Sequence, residues 1–375
     1  MKIKSSIQDG NLNNADMSVN EWWDYCQSNN SWYLTGSKGP EVWERLNIAD
    51  KIRYGQVVLN IGVGLGYCTQ ELVAIGCTVH ALDISEVALD RVRKMIAGTW
   101  SPTQLAQLPD SFFDLAISNL VTQHMNDEDL FDQMGAVIRS LKPDGIFAMQ
   151  FAYSLSARYD LYKATSGTMK VGAVLRSLAK MNSFVEKAHG RILWVDKIGD
   201  FPEWNSGWYG VHIVRHDEGS PLLQDRSLEN ARNAARFFNA DGEDLFNAGD
   251  ADNAEAAFLH SVRLDPEFAR PHNNLGVVYF QKSNHDLALK HFEKAMRLEP
   301  GNRLFVFNCG KLLKSLGMAS ETKDVYSDFL KIHPGDDEIR GLLKGLNAFE
   351  VTNLNFRNHQ NSLAVKAGAG GPLDD

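Results

Sequence analysis

Gln56-Val57-Val58-Leu59-Asn60-Ile61-Gly62-Val63-Gly64-Leu65-Gly66 decides the fold of the first half of the chain. The apolar, β-branched run reads as a short buried strand. Glycines at alternate positions then allow a tight turn and let a ligand approach the backbone closely. Tyr67 to Gly76 reads as a helix closed by that glycine. Thr78-Val79-His80-Ala81-Leu82 is a second strand, and Asp83 stands at its end. Strand, glycine turn, helix, strand and acid make a βαβ unit of the kind that takes a nucleoside at its strand ends. The spacing is G-x-G-x-G, and Tyr67 holds the position of the last glycine in the dinucleotide fingerprint G-x-G-x-x-G. No G-x-x-x-x-G-K-[ST] is present, which excludes a phosphate-loop NTPase.

Working outward, Ser85 is placed to cap a helix that starts at Glu86. Ala97–Thr103 is short and polar for a third strand. Leu108-Pro109-Asp110 leads into a strand at Leu115-Ala116-Ile117-Ser118-Asn119, followed by Val121, Gln123 and His124. An amphipathic helix is expected over about 127–141, a turn at Lys142-Pro143-Asp144-Gly145, and a strand over 146–151. Arg191–Val195 and Tyr209–Val214 read as the last two strands.

This order resembles the class I S-adenosylmethionine-dependent methyltransferases of small-molecule, type 11-like kind. The resemblance covers residues 52–152 well and extends weakly to Arg215. It implies an α/β Rossmann-like sheet, mostly parallel with its last strand antiparallel, and S-adenosyl-L-methionine as cofactor. Carried over position by position, Gly62, Gly64 and Gly66 border the methionine and ribose parts, and Asp83 holds the ribose hydroxyls. Asn119 lines the junction of cofactor and substrate. Asn60 stands where the family usually has an acid that orients the cofactor's ammonium group; its amide accepts a hydrogen bond but brings no charge. Gln104 stands where an acid often faces the adenine amino group. Ile84 and Leu105 complete the cofactor-binding set.

Methyl transfer to an oxygen of high pKa needs a base within hydrogen-bond reach. His124, five residues past Asn119, is the candidate catalytic residue, with packing or helix capping as the alternative. His80 and His212 lie inside strands and read as structural. The leader carries Trp22, Trp23, Tyr25, Trp32, Tyr33 and Trp43, suited to packing on the sheet or covering the cofactor. The insertion 152–190, with Tyr153, Arg158, Tyr159, Tyr162 and Lys163, is expected to form a substrate lid. Trp204 and Trp208 fall in the final hairpin.

The second half repeats. Pro266, Pro300 and Pro334 follow similar helical endings at intervals of 34 residues. Gly242, Gly276 and Gly310 recur in step with them, as do Leu245, Tyr279 and Leu313, and Phe258, Phe292 and Tyr326. Ala254, Ala288 and Thr322 hold a further position. The pattern resembles the tetratricopeptide repeat, two antiparallel helices per unit. The small residue lets the second helix approach, the aromatic fills the gap, and proline stops that helix. Asp241, Thr322 and Phe329 depart from the pattern. Residues 337–350 read as a capping helix. The resemblance implies an all-α solenoid that binds a protein or peptide partner; a plain scaffold is the alternative.

The expected layout is a helical leader at 1–50, a methyltransferase domain at 51–216, a linker at 217–234, three repeats with their cap at 235–350, and a flexible tail at 351–375. The net charge is −9. Residues 1–216 hold 20 basic and 23 acidic side chains and the remainder 18 and 24, so neither half has the basic excess that nucleic-acid binding draws on. No apolar run reaches the ~18–20 residues of a membrane span, and the start lacks the apolar core of a signal peptide. Cys26, Cys68, Cys77 and Cys309 show no metal spacing and read as reduced thiols of a cytoplasmic protein. No metal is expected. O-Methylation of a small molecule or glycan leads; protein methylation with substrate recruited by the repeats, and a non-catalytic interaction protein, stand beside it.

Overall fold

The computed structural model describes residues 18–29, 38–154, 174–201, 206–216 and 228–346. The chain divides into two compact units between Ala257 and Phe258. The first is built on a seven-stranded sheet: β1 (Val57–Ile61), β2 (Thr78–Leu82), β3 (Gly98–Trp100), β4 (Phe113–Ser118), β5 (Leu141–Ser154), β6 (Gly190–Phe201) and β7 (Ser206–Arg215). The spatial order is β3-β2-β1-β4-β5-β7-β6. The first five strands pair parallel, and β7 runs antiparallel between β5 and β6. This is the mostly parallel sheet with a reversed last strand that the sequence implied.

The helices of this unit are α1 (Val19–Ser28), α2 (Gly39–Arg45), α3 (Tyr67–Ile75), α4 (Glu86–Val92), α5 (Asp127–Ser140), α6 (Leu178–Lys187) and α7 (Leu228–Asn247). Each start has a local cause. Ser85 Oγ accepts from the Ala88 N–H at 3.2 Å and caps α4. Asn126 Oδ1 accepts from the Asp129 N–H at 2.8 Å, and three acids occupy the first turn of α5, where the helix dipole favours them. Gly76, at φ +93°, ends α3 in the left-handed region. The sheet core is apolar: Val58, Leu115, Ile117 and Ala148 are buried with Val42 of α2, with Leu46 just past its end, and with Leu72 of α3.

Several expectations change. Gly98–Trp100 does form a strand, because its backbone pairs with His80–Leu82 at the sheet edge although its side chains carry little strand signal. The Lys142–Gly145 turn is absorbed into β5 as a register shift between Phe113 and Leu115 on the neighbouring strand. The end of the expected lid is the core helix α6, whose Leu178, Met181 and Val185 are buried. Helix α7 starts at Leu228, inside the expected linker. Trp32, Tyr33, Arg158, Tyr159, Tyr162, Lys163, Trp204 and the tail 351–375 lie outside the described residues.

Helix α8 (Ala251–Leu264) spans the division. The second unit continues with α9 (Ala269–Gln281), α10 (His285–Leu298), α11 (Arg303–Ser315), α12 (Ala319–Ile332) and a helix over 337–346. The repeat chemistry is visible in two pairs. A Cβ on Gly276 would sit 2.5 Å from the Phe292 ring, and one on Gly310 would collide with the Tyr326 ring. Each glycine is the space into which the aromatic of its partner helix packs. Ala288 and Thr322 are fully buried at the equivalent close approach.

Candidate active site

The carboxyl ends of β1, β2 and β4 lie side by side, because Ile61 is in register with Leu82 on one flank and Ser118 on the other. The next residues, Gly62, Asp83 and Asn119, therefore share one edge of the sheet. The Gly62 N–H bonds to the Leu82 carbonyl at 2.8 Å. The Val63 N–H donates to Asp83 Oδ2 at 2.6 Å, and the Ser85 N–H to Asp83 Oδ1 at 2.9 Å. Asp83 thus ties the end of β2 to the glycine-rich turn after β1. Burial pushes its carboxyl up, and the backbone N–H groups of Ser85, Val63, Gly64 and Ile84 work against that shift. A carboxylate so placed gains from any further hydroxyl donor brought to it.

The three glycines have different reasons. Gly62 has φ +73°, and a Cβ there would collide with the Val121 side chain, so it serves the packing of the turn on the loop after β4. Gly66 caps α3 and faces Val92 of α4 at 3.0 Å. Gly64, at φ +55°, has nothing within 4 Å of its missing Cβ. It is the position of the turn that opens on free space.

Asn60 is buried beneath this turn and its Nδ2 donates to Thr69 Oγ1 of α3 at 2.8 Å. That bond orients the amide and leaves the oxygen as its remaining acceptor. Asn119 Oδ1 and Ser118 Oγ are buried with no hydrogen-bond partner among the described residues. Both oxygens retain the capacity to accept a bond from a group brought to this edge. Gln104 and Leu105 lie in a short 3-10 turn, Pro102–Gln107, beyond β3. The Gln104 Oε1 already accepts from the Ser101 N–H at 2.9 Å, so in this arrangement it closes its own turn. The Leu105 carbonyl accepts from Arg139 at 3.3 Å.

His124 ends a 3-10 turn, Thr122–His124, just after β4. Its Nε2 lies 3.1 Å from Gln123 Nε2, so the amide donates and the ring nitrogen accepts. Trp23 of α1 meets the ring edge-on at 5.0 Å. His212 Nε2 donates to the Leu46 carbonyl at 2.6 Å and its ring lies tilted against Trp194; burial pushes its pKa down to about 4. His80 is packed edge-on against Phe112 and Phe113. Neither reaches the glycine turn.

Sequence reasoning missed the residues that fasten α1. Arg91 of α4 donates to the Gly64 carbonyl at 2.6 Å and to Gln27 Oε1 at 2.7 Å. Asp24 accepts from the Ser85 hydroxyl and from the Val87 N–H at 3.2 Å. The tryptophans are the leader's evident feature, yet the polar Asp24 and Gln27 dock it beside the glycine turn. Arg176 was missed as well: its guanidinium is buried and holds the loop that carries His124. An open groove of about 380 Å³ lined by Glu44, Arg45, Trp194 and Asp196 contains none of the expected site residues. Burial pushes the Cys68 and Cys309 thiols up to about 12, so neither is a thiolate. Among the described residues, no helix is long and apolar enough to cross a membrane.

Residues 59–149 match the family model described as a methyltransferase domain, and residues 269–302 the tetratricopeptide repeat. Among curated proteins, a biotin biosynthesis bifunctional protein of Teredinibacter turnerae is 35% identical over 112 residues, 25% of this chain and 19% of that protein. An uncharacterized methyltransferase of Synechocystis is 34% identical over 115 residues, 30% of this chain and 54% of that protein. The chain thus spans less than two thirds of either relative. Among solved structures, Haemonchus contortus phosphoethanolamine N-methyltransferase 2, crystallised with phosphomonomethylethanolamine and S-adenosylhomocysteine, aligns with TM-score 0.42 and 17% identity, covering 54% of this chain and 61% of that one. The first repeat domain of the protein Spaghetti, bound to an HSP90 peptide, aligns with TM-score 0.30 and 19% identity over 32% of this chain and 98% of that one. At these scores the likeness says nothing about a substrate.

Proposed function

We propose, for a chain whose residues 59–149 form a methyltransferase domain and whose residues 269–302 form a tetratricopeptide repeat, that the first unit methylates a hydroxyl of a small polar molecule or glycan. The helical repeats hold a protein or peptide partner. The cofactor is S-adenosylmethionine, which when bound supplies a methyl group on a sulfonium centre, already activated for in-line displacement.

The observation that supports the cofactor part of this reading is the Asp83 bridge. One carboxylate joins the β2 end to the N–H of Val63, beside a Gly64 that opens on free space. Asp83 would take the ribose hydroxyls, and the turn at Gly64 would lie against the ligand. The Asn60 oxygen would face the ammonium group, and the orphan Asn119 Oδ1 would gain a donor at the junction. Helix α1, fastened through Arg91 and Asp24, borders that edge.

His124 would take the acceptor's proton. Its Nε2 lone pair is engaged by the Gln123 amide, so the amide must give way when the acceptor hydroxyl arrives.

Calorimetry of the full chain with S-adenosylhomocysteine tests the reading. Micromolar binding that falls at least tenfold in Asp83→Ala is expected. No heat and no thermal shift at millimolar ligand would sink it. With an acceptor in hand, His124→Ala should slow oxygen methylation by ~10²–10⁴.

A further inference from the structure

Arg176 is 1% exposed, one of the largest fully buried side chains in the molecule. A buried guanidinium has to spend its donors on fixed partners. Here Nη1 donates to the Thr122 carbonyl at 3.0 Å, Nη2 to the Met125 carbonyl at 2.7 Å, and Nε to Asp127 Oδ1 at 2.9 Å. All three partners flank His124. Two backbone bonds complete the clasp. The Val174 N–H donates to the Gln123 carbonyl at 2.7 Å, and the Arg176 N–H to the Ala152 carbonyl at 2.8 Å. Thr122 Oγ1 in turn donates to the Gln150 carbonyl at 2.8 Å. The loop after β4 is therefore sewn to the end of β5 through a strip of chain only three residues long.

The strip is itself held from behind. Ser177 caps α6, and the first two N–H groups of that helix, on Leu178 and Ala179, both donate to the Asp241 carboxylate of α7. Asp241 is buried, so this cap is fixed. The path from α7 runs through Asp241, the α6 start and Arg176 to the turn that presents Gln123 and His124.

We propose that Arg176 is the positioning residue of the acceptor wall: it sets the 122–127 loop, so that in the resting chain Gln123 donates to His124 Nε2 and holds one imidazole tautomer until an acceptor hydroxyl displaces the amide. Asp241 extends that control to the first helix of the repeat region. The inference rests on the reading of the 122–127 loop as the acceptor side of a methyltransferase site. Lysine keeps the charge of Arg176 but has one short point of contact and cannot span two carbonyls and a carboxylate.

The experiment compares the full-length chain with Arg176→Lys and Asp241→Asn. Three quantities are read: exchange of the amide hydrogens at 122–126, the ¹⁵N signature of the His124 ring, and S-adenosylhomocysteine affinity by calorimetry. For Arg176→Lys, exchange at least tenfold faster is expected, with the ring moving from one tautomer to a mixture and cofactor affinity held within threefold. Asp241→Asn should move the same signals by a smaller amount. A folded Arg176→Lys with an unchanged His124 signature would overturn the proposal. If Arg176→Lys does not fold, Asp127→Asn removes the carboxylate from the other side, and an unchanged signature there overturns it equally. Failure of the parent chain to bind S-adenosylhomocysteine would instead refute the methyltransferase reading, while the exchange and ring measurements still decide whether Arg176 sets the loop.

Discussion

The Asp241 carboxylate accepts the Leu178 backbone N–H at 3.1 Å, across 63 residues of sequence, and the adjacent Ala179 N–H at 2.9 Å. The residue that breaks the repeat pattern is thus the cap of a helix in the α/β unit. An apolar side chain, which the repeat would prefer, leaves two of the α6 N–H groups without an acceptor.

Asp241→Ala should therefore destabilise the first unit by about 1–3 kcal/mol, the cost of unsatisfied buried donors. Asp241→Asn should cost less, since its oxygen still accepts one bond. Urea denaturation followed by a probe in that unit checks both. A loss in Asp241→Ala below the error of the method would mean that the Leu178 and Ala179 N–H groups find another acceptor.

Gly276 and Gly310 should each resist alanine. The added methyl meets the Phe292 or Tyr326 ring, and overpacking of this kind costs about 1–3 kcal/mol. Gly335, with nothing within 4 Å of its Cβ position and no positive φ, is the control and should tolerate alanine. Thermal melts of the three variants decide it.

Gly64→Ala separates folding from binding. There is room for the methyl, so the stability cost is only the left-handed backbone of an alanine, about 1–2 kcal/mol. The same methyl projects into the free space of the turn, and S-adenosylhomocysteine affinity should drop at least tenfold. Gly62→Ala, which strikes Val121, should lose more stability than Gly64→Ala.

His212 makes stability depend on acid. Burial lowers its pKa from 6.5 to about 4 in the folded protein. The unfolded chain then binds the proton more readily, so stability is lost as pH falls from 6.5 toward 4. A shift of that size corresponds to about 3 kcal/mol at the lower limit. In His212→Gln, which keeps a donor for the Leu46 carbonyl, the slope of stability between pH 6.5 and 4.5 should flatten. An unchanged slope would assign the acid sensitivity to other groups.

The glycine turn and its neighbours were legible because their signals are local. A strand, a turn of positive φ and a helix cap each follow from residues adjacent in sequence. The third strand was not, since Gly98–Trp100 owes its form to pairing with β2 rather than to its own side chains. Gln104 has a role that its position alone does not reveal: its amide oxygen closes a capping turn with Ser101. Arg91 and Arg176 carry no motif; each is one arginine among many until its partners are known.

The sequence by itself determined the α/β sheet with its glycine-rich turn, the acid at the β2 end, and the 34-residue helical repeat, because periodicity and turn chemistry act over a few residues. Tertiary structure alone decided that Gly62 serves packing while Gly64 faces open space, that Arg91 fastens the aromatic leader, and that Asp241 and Arg176 form one path to His124. The physical reason is burial. A charged group removed from water must find its partners wherever the fold brings donors and acceptors within about 3 Å, and no local pattern in the chain records that meeting.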